Sequence, residues 1–66
     1  MEVRINGEGR TLPEGTTVAQ LLEQLQLKTE RVAVEQNREI VKRERWPAQE
    51  IRPGDQLEIV QLVGGG

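Results

Sequence analysis

One short stretch of this chain repeats its apolar residues with helical spacing, whereas the apolar residues on either side of it alternate. Four residues stand at i, i+3, i+4 and i+7 and form a single apolar stripe: Val18, Leu21, Leu22 and Leu25. Thr17 precedes the stripe and Gln20 follows three residues later, which predicts a capping box at the start of a helix. A chain of 66 residues with one amphipathic helix must bury that stripe against a sheet.

The segment before the helix predicts a hairpin. Residues 1–5 alternate between apolar and polar, which is typical of a strand with one buried face. Asn6-Gly7 follows and is a strong hairpin signal, because both residues accept positive φ. We expect Glu8-Gly9 to lengthen this loop and residues 10–12 to form a short return strand.

The segment after the helix predicts further strands. Residues 32–34 are typical of a buried strand, residues 36–38 of a turn, and Ile40-Val41 of a second strand. Pro53-Gly54 predicts a type II turn before a last strand over residues 57–63. We expect Asp55 to stabilise that turn rather than to act in catalysis.

The order of these elements indicates an α+β fold. It predicts a small mixed sheet of four to five strands, covered on one face by one helix, with the first and last strands side by side. This is the β-grasp, or ubiquitin-like, architecture. We assign residues 1–63 to the β-grasp domain and residues 64–66 to a flexible glycine tail.

Composition excludes several classes of function. The chain has no Cys and no His, so we expect no disulfide, no His-based catalysis and no metal site. A net charge of -2 argues against sequence-independent binding of nucleic acid. The sequence offers no transmembrane segment and no signal peptide, so we expect no membrane partner and a cytoplasmic location.

The feature that bears on chemistry is the end of the sequence, Gly64-Gly65-Gly66. Glycine has no Cβ, so such a tail is thin enough to enter a narrow channel and to present the carboxylate of Gly66. A carboxylate is a poor electrophile and needs activation, typically by ATP. The sequence has no phosphate-binding loop, so a separate protein must perform that step. The alternative is an ordinary frayed terminus.

Several stretches together resemble the sulfur carrier proteins of thiamin biosynthesis, the ThiS family, from one end of the chain to the other. The matching stretches are residues 1–7, 16–22, 31–35, 39–41, Arg45-Trp46, 53–60 and 63–66. The resemblance implies that an E1-like adenylyltransferase activates Gly66 with ATP and Mg²⁺. It implies that a cysteine desulfurase supplies sulfur for a thiocarboxylate, and that thiazole synthase consumes that sulfur. It also implies that the carrier has no catalytic residue and no bound cofactor of its own.

The chain departs from the family pattern at two places. The family commonly has Asn-Gly where this chain has Asn37-Arg38, and Arg38 accepts positive φ less readily than glycine does. We therefore expect a looser turn there. Lys42 stands where many members carry proline.

A partner surface is predicted next to the tail. Val60 and Leu62 point away from the face that the helix covers, and they either form an exposed docking patch or are covered by loop residues such as Trp46. Trp46 either anchors the long loop against the sheet or contacts a partner.

Three other functions remain open for a chain of this fold. One is the small subunit of molybdopterin synthase, which also ends in Gly-Gly. Another is a non-catalytic β-grasp binding module, and the third is a protein modifier conjugated to lysines.

Overall fold

The computed structural model describes residues 1–62, which form a five-stranded mixed sheet with one α-helix packed on one face. The strands are β1 (Glu2–Ile5), β2 (Glu8–Thr11), β3 (Val32–Gln36), β4 (Glu39–Ile40) and β5 (Gln56–Gln61), and the helix is α1 (Val18–Gln24). Two 3-10 helices, Thr29–Arg31 and Arg43–Arg45, lie in the connections.

The strand order β2-β1-β5-β3-β4 places β5 at the centre of the sheet. β1 runs parallel to β5, with Ile5 beside Leu57. β3 runs antiparallel to β5, from Val32 beside Gln61 to Gln36 beside Leu57. The predicted pairing of the first and last strands is therefore confirmed, and the arrangement is that of a β-grasp fold.

The start of α1 follows its sequence signal. The Thr17 side chain accepts a hydrogen bond from the Gln20 backbone N–H at 3.2 Å, and the Gln20 side chain accepts one from the Thr17 N–H at 2.9 Å. Val18, Leu21 and Leu22 are fully buried against the sheet. Burial of each such side chain contributes roughly 1.5–3 kcal/mol, so this short helix depends on the sheet for its stability.

The residue that terminates α1 is a glutamine, although glycine is the usual residue at this position. Gln26 adopts φ 57°, and its N–H donates to the carbonyl of Glu23 at 3.0 Å. The N–H of Leu27 donates to the carbonyl of Leu22 at 3.4 Å, which completes a Schellman motif without glycine. Leu25 and Leu27 pack partly buried against the core. Within residues 1–62, neither α1 nor any other helix has the length and apolar character needed to cross a membrane.

A single apolar core lies between α1 and the sheet. Its side chains come from the helix, from three strands and from the loops, and β2 and β4 contribute none. The buried apolar residues are Val3, Ile5, Leu12, Val18, Leu21, Leu22, Val32, Val34, Val41, Trp46, Ile51, Leu57 and Ile59.

The first hairpin is tighter than expected. Asn6 and Gly7 both have positive φ, at 52° and 83°, and they alone form the turn. Glu8 and Gly9 already pair with β1, so the expectation that they lengthen the loop is wrong. The two-residue turn matches the twist of the flanking strands, which allows pairing to start at once.

The second hairpin is also a tight two-residue turn, so the expected looseness at Asn37-Arg38 is wrong. Both residues adopt positive φ, at 52° and 71°, and Gln36 pairs directly with Glu39. The Asn37 backbone N–H donates to the carbonyl of Gln56 at 2.7 Å, so a tertiary contact holds the turn in place. That contact offsets the cost of a left-handed conformation at Arg38, about 1–2 kcal/mol.

Replacing Arg38 by glycine should stabilise the domain, because glycine adopts φ 71° without steric cost. We expect Arg38→Gly to raise the free energy of unfolding by about 1 kcal/mol, measured by urea denaturation. Arg10→Gly, within β2, is the matched control and should lower it by about 0.5–1 kcal/mol. A destabilised Arg38→Gly variant would contradict this account of the turn.

Candidate functional site

The glycine tail predicted to carry the chemistry, residues 64–66, lies outside the described residues, as does Val63. The predicted roles of Gly64, Gly65 and Gly66, and the boundary after residue 63, therefore stay predictions. The structure does describe the strand that leads to them. Beyond the end of β5, the N–H of Leu62 donates to the carbonyl of Arg31 at 2.7 Å, so the chain is still held beside β3 at this point.

A side chain from the first hairpin holds the last part of β5. Nδ2 of Asn6 donates to the carbonyl of Ile59 at 3.1 Å, and Oδ1 of Asn6 accepts from the N–H of Ile59 at 2.8 Å. The Asn6 amide thus pairs with the backbone of β5 beyond the point where β1 ends. Asn6 was predicted only as a turn residue, and its contact with Ile59 depends on a strand pairing that local sequence does not reveal.

The start of β5 is held in a similar way from the second hairpin. Oδ1 of Asn37 accepts from the N–H of Gln56 at 3.0 Å, and Nδ2 of Asn37 donates to Oδ1 of Asp55 at 3.0 Å. Asparagines from the two tight turns therefore bind β5 near its two ends. The segment before the tail is fixed to the sheet on both sides.

Asp55 organises the turn that leads into β5, as predicted. Its Oδ2 accepts from the N–H of Arg52 at 2.8 Å and from Nε2 of Gln36 at 2.7 Å. Gly54, at φ 83°, completes the predicted type II turn. Burial raises the pKa of Asp55, but hydrogen bonds from the Arg52 backbone and from the Asn37 and Gln36 side chains, with the charge of Arg52, outweigh it. The net effect is a pKa below the ordinary value of 3.8.

The sheet face opposite α1 carries an exposed apolar surface beside the end of β5. Val60 and Leu62 are each 54% exposed, so the alternative in which loop residues cover them is wrong. Ala33 lies directly opposite Val60 on β3, and Ile40, on the same face of β4, is 76% exposed. We call these four residues, Ala33, Ile40, Val60 and Leu62, the open-face patch. That a partner contacts it stays a prediction.

Trp46 does not belong to the open-face patch. Its side chain is only 5% exposed, and its Nε1 donates to the carbonyl of Val41 at 2.9 Å. The guanidinium of Arg43 lies 4.9 Å from the ring centroid. Trp46 therefore anchors the long loop in the core, which is the structural one of its two predicted roles. Ile40 was missed as a patch residue, since its exposure follows from its pairing opposite Glu35.

Comparison with known proteins adds to this geometry. The sequence profile that defines the ThiS family matches residues 3–66 of this chain. The chain is 35% identical over 66 residues to the sulfur carrier protein ThiS of Escherichia coli, and the match covers all of both chains. It is 42% identical over 66 residues to a thiazole synthase of Paramagnetospirillum magneticum. The chain spans 20% of that protein's length, and 20% of a second thiazole synthase that it matches.

The fold has a close counterpart among solved structures. The crystal structure of a thiamine biosynthesis protein from Geobacter metallireducens superposes with a TM-score of 0.88 at 35% sequence identity, and the match covers all of both chains.

Asn6→Gly should loosen the end of β5 and leave the first turn intact, because glycine keeps the positive φ and removes only the side-chain bonds. We expect faster hydrogen exchange at the amide of Ile59 and a loss of about 1–2 kcal/mol in unfolding free energy. Asn37→Gly is the control, and it should accelerate exchange at Gln56 instead. Unchanged exchange at Ile59 would contradict the proposed contact.

Asp55→Asn should destabilise the domain at neutral pH by about 1–3 kcal/mol. The NH₂ group of the new side chain cannot accept the hydrogen bonds that one carboxylate oxygen of Asp55 accepts. The pKa of Asp55 is lowered by folding, so its carboxylate stabilises the fold above pH 3.8 and loses that effect as the pH falls through its folded-state pKa. Urea denaturation across this range should therefore show the two proteins converging at acid pH. Glu14→Gln, at an exposed site, is the control. A constant difference at every pH would exclude the charge as the cause.

Proposed function

Because the chain belongs to the ThiS family, we propose that it is a sulfur carrier protein of thiamin biosynthesis, and that partner enzymes act on it as a substrate. The observation that carries this proposal is the family match over residues 3–66, which includes the β-grasp domain and all three terminal glycines. The full-length match to the sulfur carrier of Escherichia coli supports it.

The proposed chemistry takes place at the carboxylate of Gly66. In an E1-like adenylating enzyme, this carboxylate attacks the α-phosphate of ATP bound with Mg²⁺, and pyrophosphate leaves. The terminal sulfur of a persulfide, formed from cysteine by a cysteine desulfurase, then attacks the acyl carbon and displaces AMP, which gives an acyl disulfide. A thiol reduces this disulfide and releases the thiocarboxylate, whose sulfur thiazole synthase takes up. ATP, Mg²⁺ and the catalytic groups belong to the partners, and the carrier itself contributes an accessible acyl group.

The fold suits a substrate that must be presented to other enzymes. The backbone bond between Leu62 and Arg31 is the last contact described before residues 63–66. Asn6 reinforces the strand just before that point through Ile59. The domain therefore provides a rigid base from which four residues lead to the reacting carboxylate.

We propose that the activating enzyme docks on the open-face patch. Val60 lies near the end of β5, and Leu62 is the last residue described before the tail. Both side chains are half exposed. Exposed apolar side chains grouped on one surface of a small protein are typical of interaction sites. Contact there would fix the carrier close to the catalytic centre of its partner.

Thiazole synthase is the proposed acceptor of the sulfur. The thiazole synthase of Paramagnetospirillum magneticum contains a stretch similar to this entire chain. That match favours a role in making the thiazole ring over a role as the small subunit of molybdopterin synthase. It also favours a carrier over a binding module or a protein modifier. We place these steps in the cytoplasm, where ATP is available and thiols are kept reduced.

Intact mass spectrometry tests the proposed chemistry. Incubation with ATP, Mg²⁺, the E1-like enzyme, a cysteine desulfurase, cysteine and a thiol reductant should increase the mass of the chain by the difference between one sulfur and one oxygen. A variant with one alanine added after Gly66 should gain no sulfur and should unfold at the same urea concentration, since the contacts among residues 1–62 are unchanged. Sulfur uptake by the capped variant would refute the proposal, as would failure of the unaltered chain to gain sulfur.

A further inference from the structure

One edge of the sheet is formed by a strand that has no neighbour beyond it among residues 1–62. The strand order places β2 at that edge, and all four of its residues are exposed. The opposite edge is β4, which is only two residues long. Unpaired backbone groups on a sheet edge can bind another strand. Of the two edges, β2 is therefore the one with more room for an additional strand.

Two residues of β2 direct their backbone N–H and C=O groups outward from the sheet. In β1, the N–H of Arg4 donates to the carbonyl of Asp55 at 2.9 Å, so the backbone groups of Arg4 face away from β2. Gly9 lies directly opposite Arg4, and in an antiparallel ladder the backbone groups of such a pair point away from each other. The same alternation applies to Thr11, which lies opposite Glu2. The free edge therefore offers the donors and acceptors of Gly9 and Thr11.

Gly9 is required neither by a turn nor by lack of space inside the domain. Its φ is not positive, and a Cβ on this residue would meet no other heavy atom within 4 Å. Glycine within a strand costs stability, and it often marks a place where a second backbone approaches closely. Here it leaves the outward backbone groups in the middle of the edge without a side chain beside them.

Glu8 and Arg10 flank Gly9, and they carry opposite charges on the same face of β2. If the β2 strands of two chains pair antiparallel with Gly9 beside Gly9, each Glu8 lies opposite Arg10 of the other chain. This is a non-hydrogen-bonded pair, in which side chains lie closest, and opposite charges in such a pair stabilise a sheet. A register that places Gly9 beside Thr11 instead sets Arg10 opposite Arg10, which is destabilising. The charges of β2 therefore favour one register of pairing with a second copy.

We propose that two copies of this chain associate through their β2 strands, with backbone hydrogen bonds between the two Gly9 residues and ion pairs between Glu8 and Arg10. The two-fold axis of this dimer is perpendicular to the sheet, so the copies form one continuous sheet with both helices on the same face. The open-face patch lies on β3, on β4 and at the end of β5, so the dimer leaves it uncovered. The interface is small, and we expect a transient dimer with Kd on the order of 1 mM. This inference does not depend on the proposed function.

Nuclear magnetic resonance spectra recorded between about 0.05 and about 2 mM test the dimer. We expect the amide signals of Gly9 and Thr11 to shift with concentration and those of Ala33 and Val60 to stay unchanged. Gly9→Pro removes the N–H at the axis and should weaken association at least about tenfold. Gly9→Ala keeps that N–H, adds a methyl group in open space and should associate within about threefold of the unaltered chain. Urea denaturation checks that both variants fold.

Exchange of the two charges tests the register. Arg10→Glu places a glutamate opposite Glu8 of the other copy and should weaken association about tenfold, and Glu8→Arg should do the same. The double variant Glu8→Arg/Arg10→Glu restores opposite charges and should associate within about threefold of the unaltered chain. Its net charge equals that of the unaltered chain, so a general effect of charge does not explain the recovery.

Three results would overturn this inference. The first is a chain that stays monomeric over this concentration range, even if the signal of Gly9 then shifts on addition of thiazole synthase, since β2 would in that case bind the enzyme. The second is a set of concentration-dependent shifts at Val60 and Leu62 instead of β2, which would assign the association to the open-face patch. The third is a double variant that associates no better than Arg10→Glu alone, which would exclude the pairing of Glu8 with Arg10.

Discussion

The rest of the structure depends on the position of β5 between β1 and β3. This strand pairs on both sides, parallel with β1 and antiparallel with β3, and two of its side chains, Leu57 and Ile59, are buried under α1. Asn6 and Asn37 add side-chain bonds near its two ends. Removal of β5 would therefore separate the sheet into two parts. Because β5 is also the strand that precedes the tail, the proposed reactive terminus is attached to the most firmly held strand of the domain.

Local signals predicted much of this fold because each depends on a few adjacent residues. The capping box at Thr17 and Gln20, the turn at Asn6-Gly7 and the type II turn at Gly54 all formed where expected. The expected looseness at Asn37-Arg38 was wrong because a tertiary contact decides the local conformation there. Arg38 accepts positive φ because Asn37 is bonded to β5. The end of α1 after Gln24 was not predicted, because the residue with positive φ that terminates it is Gln26 and not a glycine.

The candidate site was predicted less completely than the fold. Alternation along the last strand was enough to place Val60 and Leu62 on the uncovered face. Ile40 was missed, because its place beside Glu35 depends on the register of β3 with β4. The place of Ala33 beside Val60 likewise follows only from the register of β3 with β5. Features that require two strands to be aligned are not accessible from either strand alone.

The central place of β5 also has a mechanical consequence. A pulling force applied beyond Leu62 acts along the axis of β5, and the hydrogen bonds to β1 and β3 lie across that axis. Such bonds must break in shear, many at once, instead of unzipping one after another. The domain can therefore withstand traction applied at the end of β5 without unravelling, which the proposed carrier role would require.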